Sequence, residues 1–228
     1  MHRLPHRLVT SARRLSARNS LLITAAVSAG IACFALLVAT HEAFASESRE
    51  LSTQERAELR AGKLVVRPEV RNVHGVSMVG GMAWQLVRAP ADEVYRALLD
   101  VPAYAHYLPA AEEVRLLSAQ PPQTLFVQHR LGFVRANYCV RTLRDAVKRS
   151  LRFRMDHTRP SAIRDAWGEL RVTPYGADQS VVSMAIMADL GGGLVVGLIR
   201  ENVHAWMLRV PELIKRHVEM AHARTQSL

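Results

Sequence analysis

Pro90-Ala-Asp-Glu-Val-Tyr-Arg-Ala-Leu-Leu-Asp-Val-Pro-Ala-Tyr-Ala-His-Tyr-Leu-Pro109 is the stretch whose reading decides the fold of this chain. Pro90 suits a helix entry, where a missing amide has no intrahelical partner to lose. Val94, Ala97, Leu98 and Val101 recur at helical spacing, and Pro102 ends the run. Tyr104, Tyr107 and Leu108 then form a tight aromatic turn closed by Pro109.

On either side of this unit the pattern is that of strands. Met82, Trp84 and Leu86 alternate with Ala83, Gln85 and Val87, which predicts a strand over Met82 to Arg88. After Pro109, strands are predicted over Glu113 to Ser118, Thr124 to Leu131, Asn137 to Arg144, Leu151 to His157, Ala166 to Thr173 and Ser180 to Leu190. The fourth of these alternates most cleanly, with Leu151, Phe153 and Met155 inward and Arg152, Arg154 and Asp156 outward. No helix separates these strands, so the pattern predicts antiparallel hairpins and excludes a parallel strand–helix–strand architecture. From Leu194 to about Arg224 the period turns helical, with Val195, Ile199, Trp206, Val210, Leu213 and Val218 on one face and Pro211 expected to kink or interrupt the helix.

The N-terminal third is organised differently. Arg3, Arg7, Arg13, Arg14 and Arg18 form an acid-free basic lead, Ser20 to Thr40 is uncharged and apolar, and Ala43-Phe44-Ala45 has a small-x-small pattern. Residues 1–45 are therefore expected to be a signal peptide cleaved before Ser46, or else an uncleaved membrane anchor. Either reading predicts an exported, periplasmic or cell-envelope protein. Residues 46–79 form a lead-in, in which Ser52-Thr-Gln-Glu55 offers a capping box for a short helix and Lys63 to Arg67 a short strand. Residues 80–224 are the main domain, and residues 225–228 a tail.

The formal net charge is +10, but removing residues 1–45 takes five of the 30 basic and one of the 20 acidic side chains and leaves +6. The remaining cations are dispersed, which argues against a nucleic-acid surface and leaves contact with a membrane surface open. Beyond the leader, Cys139 is the one cysteine, so neither an internal disulfide nor a cysteine metal cage can form there. The chain has no Gly-x-Ser-x-Gly elbow, His-Glu-x-x-His pair, Walker loop or dinucleotide fingerprint, and no catalytic residue, metal ligand or cofactor is assigned.

A strand, a short helix region, six further strands and a long terminal helix resemble the helix-grip fold. The wording from Asp100 to Pro109 is similar to the Asp-x-x-x-Tyr-x-x-(Tyr/Phe)-Leu-Pro segment of polyketide cyclase/dehydrase and coenzyme Q-binding START-domain proteins, within the START-like (SRPBCC) superfamily. Ala89 to Tyr95 resembles the family's helix entry, and the resemblance covers about Gly80 to Arg224. It implies an α+β fold in which a curved antiparallel sheet of about seven strands wraps around the C-terminal helix. It also implies a hydrophobic small molecule, such as a lipid or an isoprenoid or quinone, held between the two. The export signal and residues 46–79 depart from the intracellular quinone chaperones of that superfamily.

Within this frame the expected cavity wall is Trp84, Phe126, His129, Phe133, Tyr138, Phe153, Met155, His157, Trp167, Met184, Met187, Leu198, Asn202 and Trp206. Asn202, His129 or His157 would orient a polar end of the ligand. Two alternatives stand beside ligand binding: a cyclase or hydrolase using His129 and His157 as an acid/base pair, and a non-catalytic envelope interaction module with a filled interior.

Overall fold

The computed structural model describes residues 50–73, 75–131, 134–191 and 205–226. Helix α1 (Thr53–Arg60) begins at the anticipated capping box. The Ser52 hydroxyl accepts the Glu55 amide at 3.2 Å, and the Glu55 carboxylate accepts the Ser52 amide at 2.7 Å. Strands β1 (Val65–Val73) and β2 (Val76–Val87) follow, then α2 (Ala91–Leu99), one 3-10 turn (Val101–Ala103) and the four-residue α3 (Tyr104–Tyr107). Six strands complete the sheet: β3 (Ala111–Ser118), β4 (Gln123–Leu131), β5 (Val134–Asp145), β6 (Ser150–Met155), β7 (Asp165–Pro174) and β8 (Ser180–Asp189). Helix α4 (Val210–Gln226) ends the described chain.

All eight strands form one antiparallel sheet in the order β1-β2-β8-β7-β6-β5-β4-β3. The sequence reading had seven strands and placed the domain boundary at Gly80. That boundary falls inside β2, whose first nine residues, Val76 to Trp84, pair with the whole of β1. The expected strand from Lys63 also runs on through Pro68, because β1 is an edge strand and a proline there gives up only a donor that would face outward.

The stretch from Pro90 to Pro109 folds as a helix and an aromatic turn, and the turn has a specific task. Val94 and Leu98 are fully buried on the inner side of α2, each worth about 1.5–3 kcal/mol of burial. The last carbonyls of α2 lack intrahelical donors. Tyr104 donates its hydroxyl to the Leu98 carbonyl at 2.7 Å, and Tyr107 donates to Ala97 at 3.0 Å. Burial pushes the Tyr104 phenol up to about 12, so this cap stays protonated at any ordinary pH.

Each face of the sheet carries a core. On the concave face, α4 inserts Val210, Ile214 and Val218, one turn apart, against Ala83 and Val87 of β2 and against α2 and α3. Pro211 was expected to kink or interrupt a longer helix. Helical residues 205–207 give way to a turn at 208–209, and Pro211 sits in the first turn of α4, where its missing amide leaves no bond unmade. On the convex face, α1 covers Met82, Trp84 and Leu86 with Leu59. Glu55 accepts two hydrogen bonds from Arg67 of β1, at 2.7 and 2.6 Å, and the Arg67 guanidinium lies 5.0 Å over the Trp84 ring.

Histidines also stitch α4 to its neighbours. His217 stacks on His106 of α3 at 5.2 Å and meets Tyr107 edge-on at 5.0 Å, and His222 lies 3.0 Å from the Glu93 carboxylate of α2. Burial, and then the neighbouring His106, hold His217 below its ordinary 6.5. The Arg67 hydrogen bonds hold the Glu55 carboxyl at about 2, against an ordinary 4.5. In both cases the unfolded chain binds protons that the folded chain refuses, so stability rises with pH. The urea midpoint is expected to fall as pH drops below 6.5 and again below 4.5. His217→Gln should flatten the first step and Glu55→Gln the second; a midpoint that rises on acidification would refute this account.

Candidate ligand cavity

Between the concave face and the C-terminal helical segment lies a cavity of about 260 Å³. Its wall follows the two-residue period of the strands. Leu125, Val127 and His129 come from β4, and Tyr138, Val140 and Thr142 from β5. Leu151 and Phe153 come from β6, Ala166 and Leu170 from β7, and Met184, Ile186 and Ala188 from β8. Trp206, Met207 and Val210 close it from the helical side, and Tyr104, Leu108 and Pro109 from the aromatic turn.

Small residues make the space. Ala166 and Ala188 are register partners on β7 and β8, so two neighbouring wall positions carry only a methyl group each. Gly168 lies between β6 and β8, and a Cβ there would come within 2.5 Å of the Phe153 ring and 2.4 Å of the Ala185 carbonyl. The absence of a side chain at Gly168 is what lets Phe153 lie along the wall.

One polar pair stands on this apolar surface. The His129 Nδ1–H donates to the Pro109 carbonyl at 2.9 Å, which leaves Nε2 as an acceptor for the Tyr138 hydroxyl at 2.8 Å. Burial pushes the His129 imidazole below its ordinary value and the Tyr138 phenol well above, so both are neutral at physiological pH. Trp206 meets the His129 ring edge-on at 5.1 Å. The pair therefore joins three elements: the aromatic turn, the sheet and the helical segment. Tyr138 keeps free lone pairs, so it can accept a ligand hydroxyl, or swing its proton from His129 to a ligand carbonyl. Arg135 also contributes to the wall, with its guanidinium 3.2 Å from Glu112.

The model of the family described as polyketide cyclase / dehydrase and lipid transport matches residues 62–217. The chain belongs to that family. A search of curated proteins found no match. Among solved structures, the Zhui aromatase/cyclase from a Streptomyces species is 21% identical with a TM-score of 0.53, over 62% of this chain and 94% of that one. A STAR-related lipid transfer protein from Xanthomonas axonopodis is 17% identical with a TM-score of 0.52, over 68% and 98%. A START superfamily protein from Mycobacterium smegmatis is 12% identical with a TM-score of 0.53, over 63% and 98%. At these identities the likeness is one of fold, the helix-grip arrangement of sheet and C-terminal helix.

In this member of the polyketide cyclase/dehydrase family the wall expected from sequence divides cleanly. His129, Tyr138, Phe153, Met184 and Trp206 line the cavity. Met155 faces inward but is buried beside it with Ala166 and Ala188. Trp84 belongs to the convex core under α1. Phe126 alternates with the inward Leu125 and Val127, so it lies on the convex face, with the Arg115 guanidinium 4.7 Å over its ring. Trp167 and Met187 are register partners on that same outer face, out of phase with the inward Ala166 and Ala188. His157 is exposed beyond the end of β6 and lies 3.2 Å from Asp165, so it cannot pair with His129. Phe133, Leu198 and Asn202 lie outside the described residues.

These corrections share one cause. The expected wall favoured large aromatic and sulfur side chains, whereas strand phase decides which face a residue takes. Phase alone, counted from His129 and Tyr138, would have found Leu125, Val127, Val140 and Thr142. Among the described residues no group of three or more His, Cys, Asp or Glu side chains converges in a metal-binding arrangement.

Proposed function

We propose that this protein is exported to the cell envelope and there binds a hydrophobic small molecule, a lipid or an isoprenoid- or quinone-like compound, with its polar end on the His129–Tyr138 pair. The observation that carries the reading is the cavity itself: an apolar concave wall with a neutral donor–acceptor pair set into it, the composition of a site for a largely apolar ligand with one hydroxyl or carbonyl. A filled interior, as an interaction module would have, does not match that space. The basic lead, apolar run and small-x-small pattern of residues 1–45 support export.

Two measurements test this reading. The protein purified from cells and denatured should release a stoichiometric lipid-like compound by mass spectrometry, and an empty extract from correctly folded protein would end the proposal. Fractionation should place the protein in the envelope, with a mature N-terminus at Ser46 if the leader is cleaved.

A second reading, cyclase- or hydrolase-type catalysis, gains support from the 2.8 Å contact between Tyr138 and His129, since an inward polar pair within hydrogen-bond reach is what acid/base chemistry needs. Tyr138→Phe separates the two. It keeps the ring and leaves His129 Nε2 without its donor, a loss of about 1–3 kcal/mol. For a binding protein, Tyr138→Phe should retain ligand with weakened affinity. For an enzyme it should accumulate an unconverted compound whose mass differs from that released by the wild type.

A further inference from the structure

A second concavity, of about 290 Å³, lies where the end of α1, the end of β2, the β7–β8 turn and α4 meet. Its wall contrasts with that of the ligand cavity. Arg60 closes α1, Arg88 follows β2, and Lys215 projects from the second turn of α4, so cations from three elements remote in sequence converge on one space. Tyr175 and Gln179 of the β7–β8 turn complete it, and the Tyr175 amide bonds the Gln179 carbonyl at 2.9 Å to shape that turn.

The cations are not neutralised where they stand. Among the described residues no carboxylate lines the concavity, and Arg60 and Arg88 form no ion pair. On α4, Glu219 accepts the Arg88 backbone amide at 2.9 Å, and Glu212 pairs with Arg209 and Arg216. Lys215 donates to the Gly62 carbonyl at 3.2 Å, which fixes the ammonium but leaves its charge and two of its protons free. A basic residue in the last turn of α1 is explained by the helix dipole alone, which accounts for Arg60. The same helix end draws the Lys215 ammonium to the Gly62 carbonyl, but it does not account for Arg88.

We propose that this concavity is an anion site for a phosphate-type group. Guanidinium and ammonium groups are donors with no acceptor, so the set is matched by a ligand that offers several acceptor oxygens and negative charge. A bound phosphate would bridge α1, the sheet and α4. The same chemistry is offered by a soluble phosphate and by the headgroup of an anionic phospholipid.

The full chain is titrated with inorganic phosphate by calorimetry and co-sedimented with vesicles of phosphatidylglycerol or of phosphatidylcholine. The comparison pairs Arg88→Gln/Lys215→Gln with a charge-matched control, Lys148→Gln/Arg152→Gln, in exposed positions away from both concavities. Binding that the first double variant weakens by about tenfold or more, and the control leaves unchanged, supports the site. Response to inorganic phosphate identifies a soluble ligand; response confined to phosphatidylglycerol vesicles identifies a lipid headgroup. Lys215→Arg keeps the charge and should keep the binding. No binding of either probe, or equal loss in the control, overturns the proposal.

Discussion

Gly81→Ala is expected to abolish folding: the variant should be recovered insoluble, or without a cooperative melting transition. Gly81 lies in the middle of β2 with φ at 136°, a backbone conformation that side-chain-bearing residues rarely adopt. Strain alone would cost about 1–3 kcal/mol. The larger effect is steric. A Cβ at Gly81 would stand 2.1 Å from the Arg67 carbonyl oxygen and 3.0 Å from the Glu69 amide, and one at Gly80 would stand 1.9 Å from the Ile186 carbonyl. These are backbone atoms of the strands on either side, so no side chain can swing away. For Gly81→Ala, relief requires β1 to separate from β2, and the cost exceeds about 4 kcal/mol, close to the whole stability of a marginal domain. Gly176→Ala is the control. It has φ at 84° but nothing within 4 Å, and should cost about 1–2 kcal/mol. Equal melting temperatures for Gly81→Ala and the wild type would show that β2 is not pinched between its neighbours.

Ala188→Phe should empty the cavity of ligand while leaving the fold intact. Ala188 faces into the 260 Å³ space beside Ala166, and an aromatic ring there occupies volume that a ligand would otherwise fill. Each 100 Å² of ligand surface kept in water forfeits about 2.5 kcal/mol, which is nearly two powers of ten in affinity. The compound released on denaturation should fall to background, and the urea midpoint should hold or rise because a void has been filled. Ile186→Trp narrows the same wall from two residues along β8 and guards against a local packing failure in the first variant. Undiminished ligand in both variants would place binding elsewhere on the protein.

Much of the fold was readable from local pattern because the relevant physics is local. Pro90, the helical stripe from Val94 to Leu98 and the stop at Pro102 predict α2 without knowledge of any partner, and the Ser52–Glu55 capping box does the same for α1. Two-residue alternation located the strands after Pro109, and the spacing of their turns made them antiparallel. The site was less readable. Of the expected wall residues, Trp84, Phe126, Trp167 and Met187 have the size and hydrophobicity of cavity residues yet pack on the opposite face. Strand β2 is buried on both faces along most of its length, so its pattern cannot say which face is concave.

Taken by itself, the sequence determined the element types, their order and the family resemblance, because caps, prolines and periodicity act within a few residues of the chain. Tertiary structure alone decided three things: that α1 covers a second core, that His129 meets Tyr138 rather than His157, and that Arg60, Arg88 and Lys215 converge. Each joins residues from different elements, and such contacts follow from sheet curvature, register and the seating of α4, which arise only when the whole chain packs.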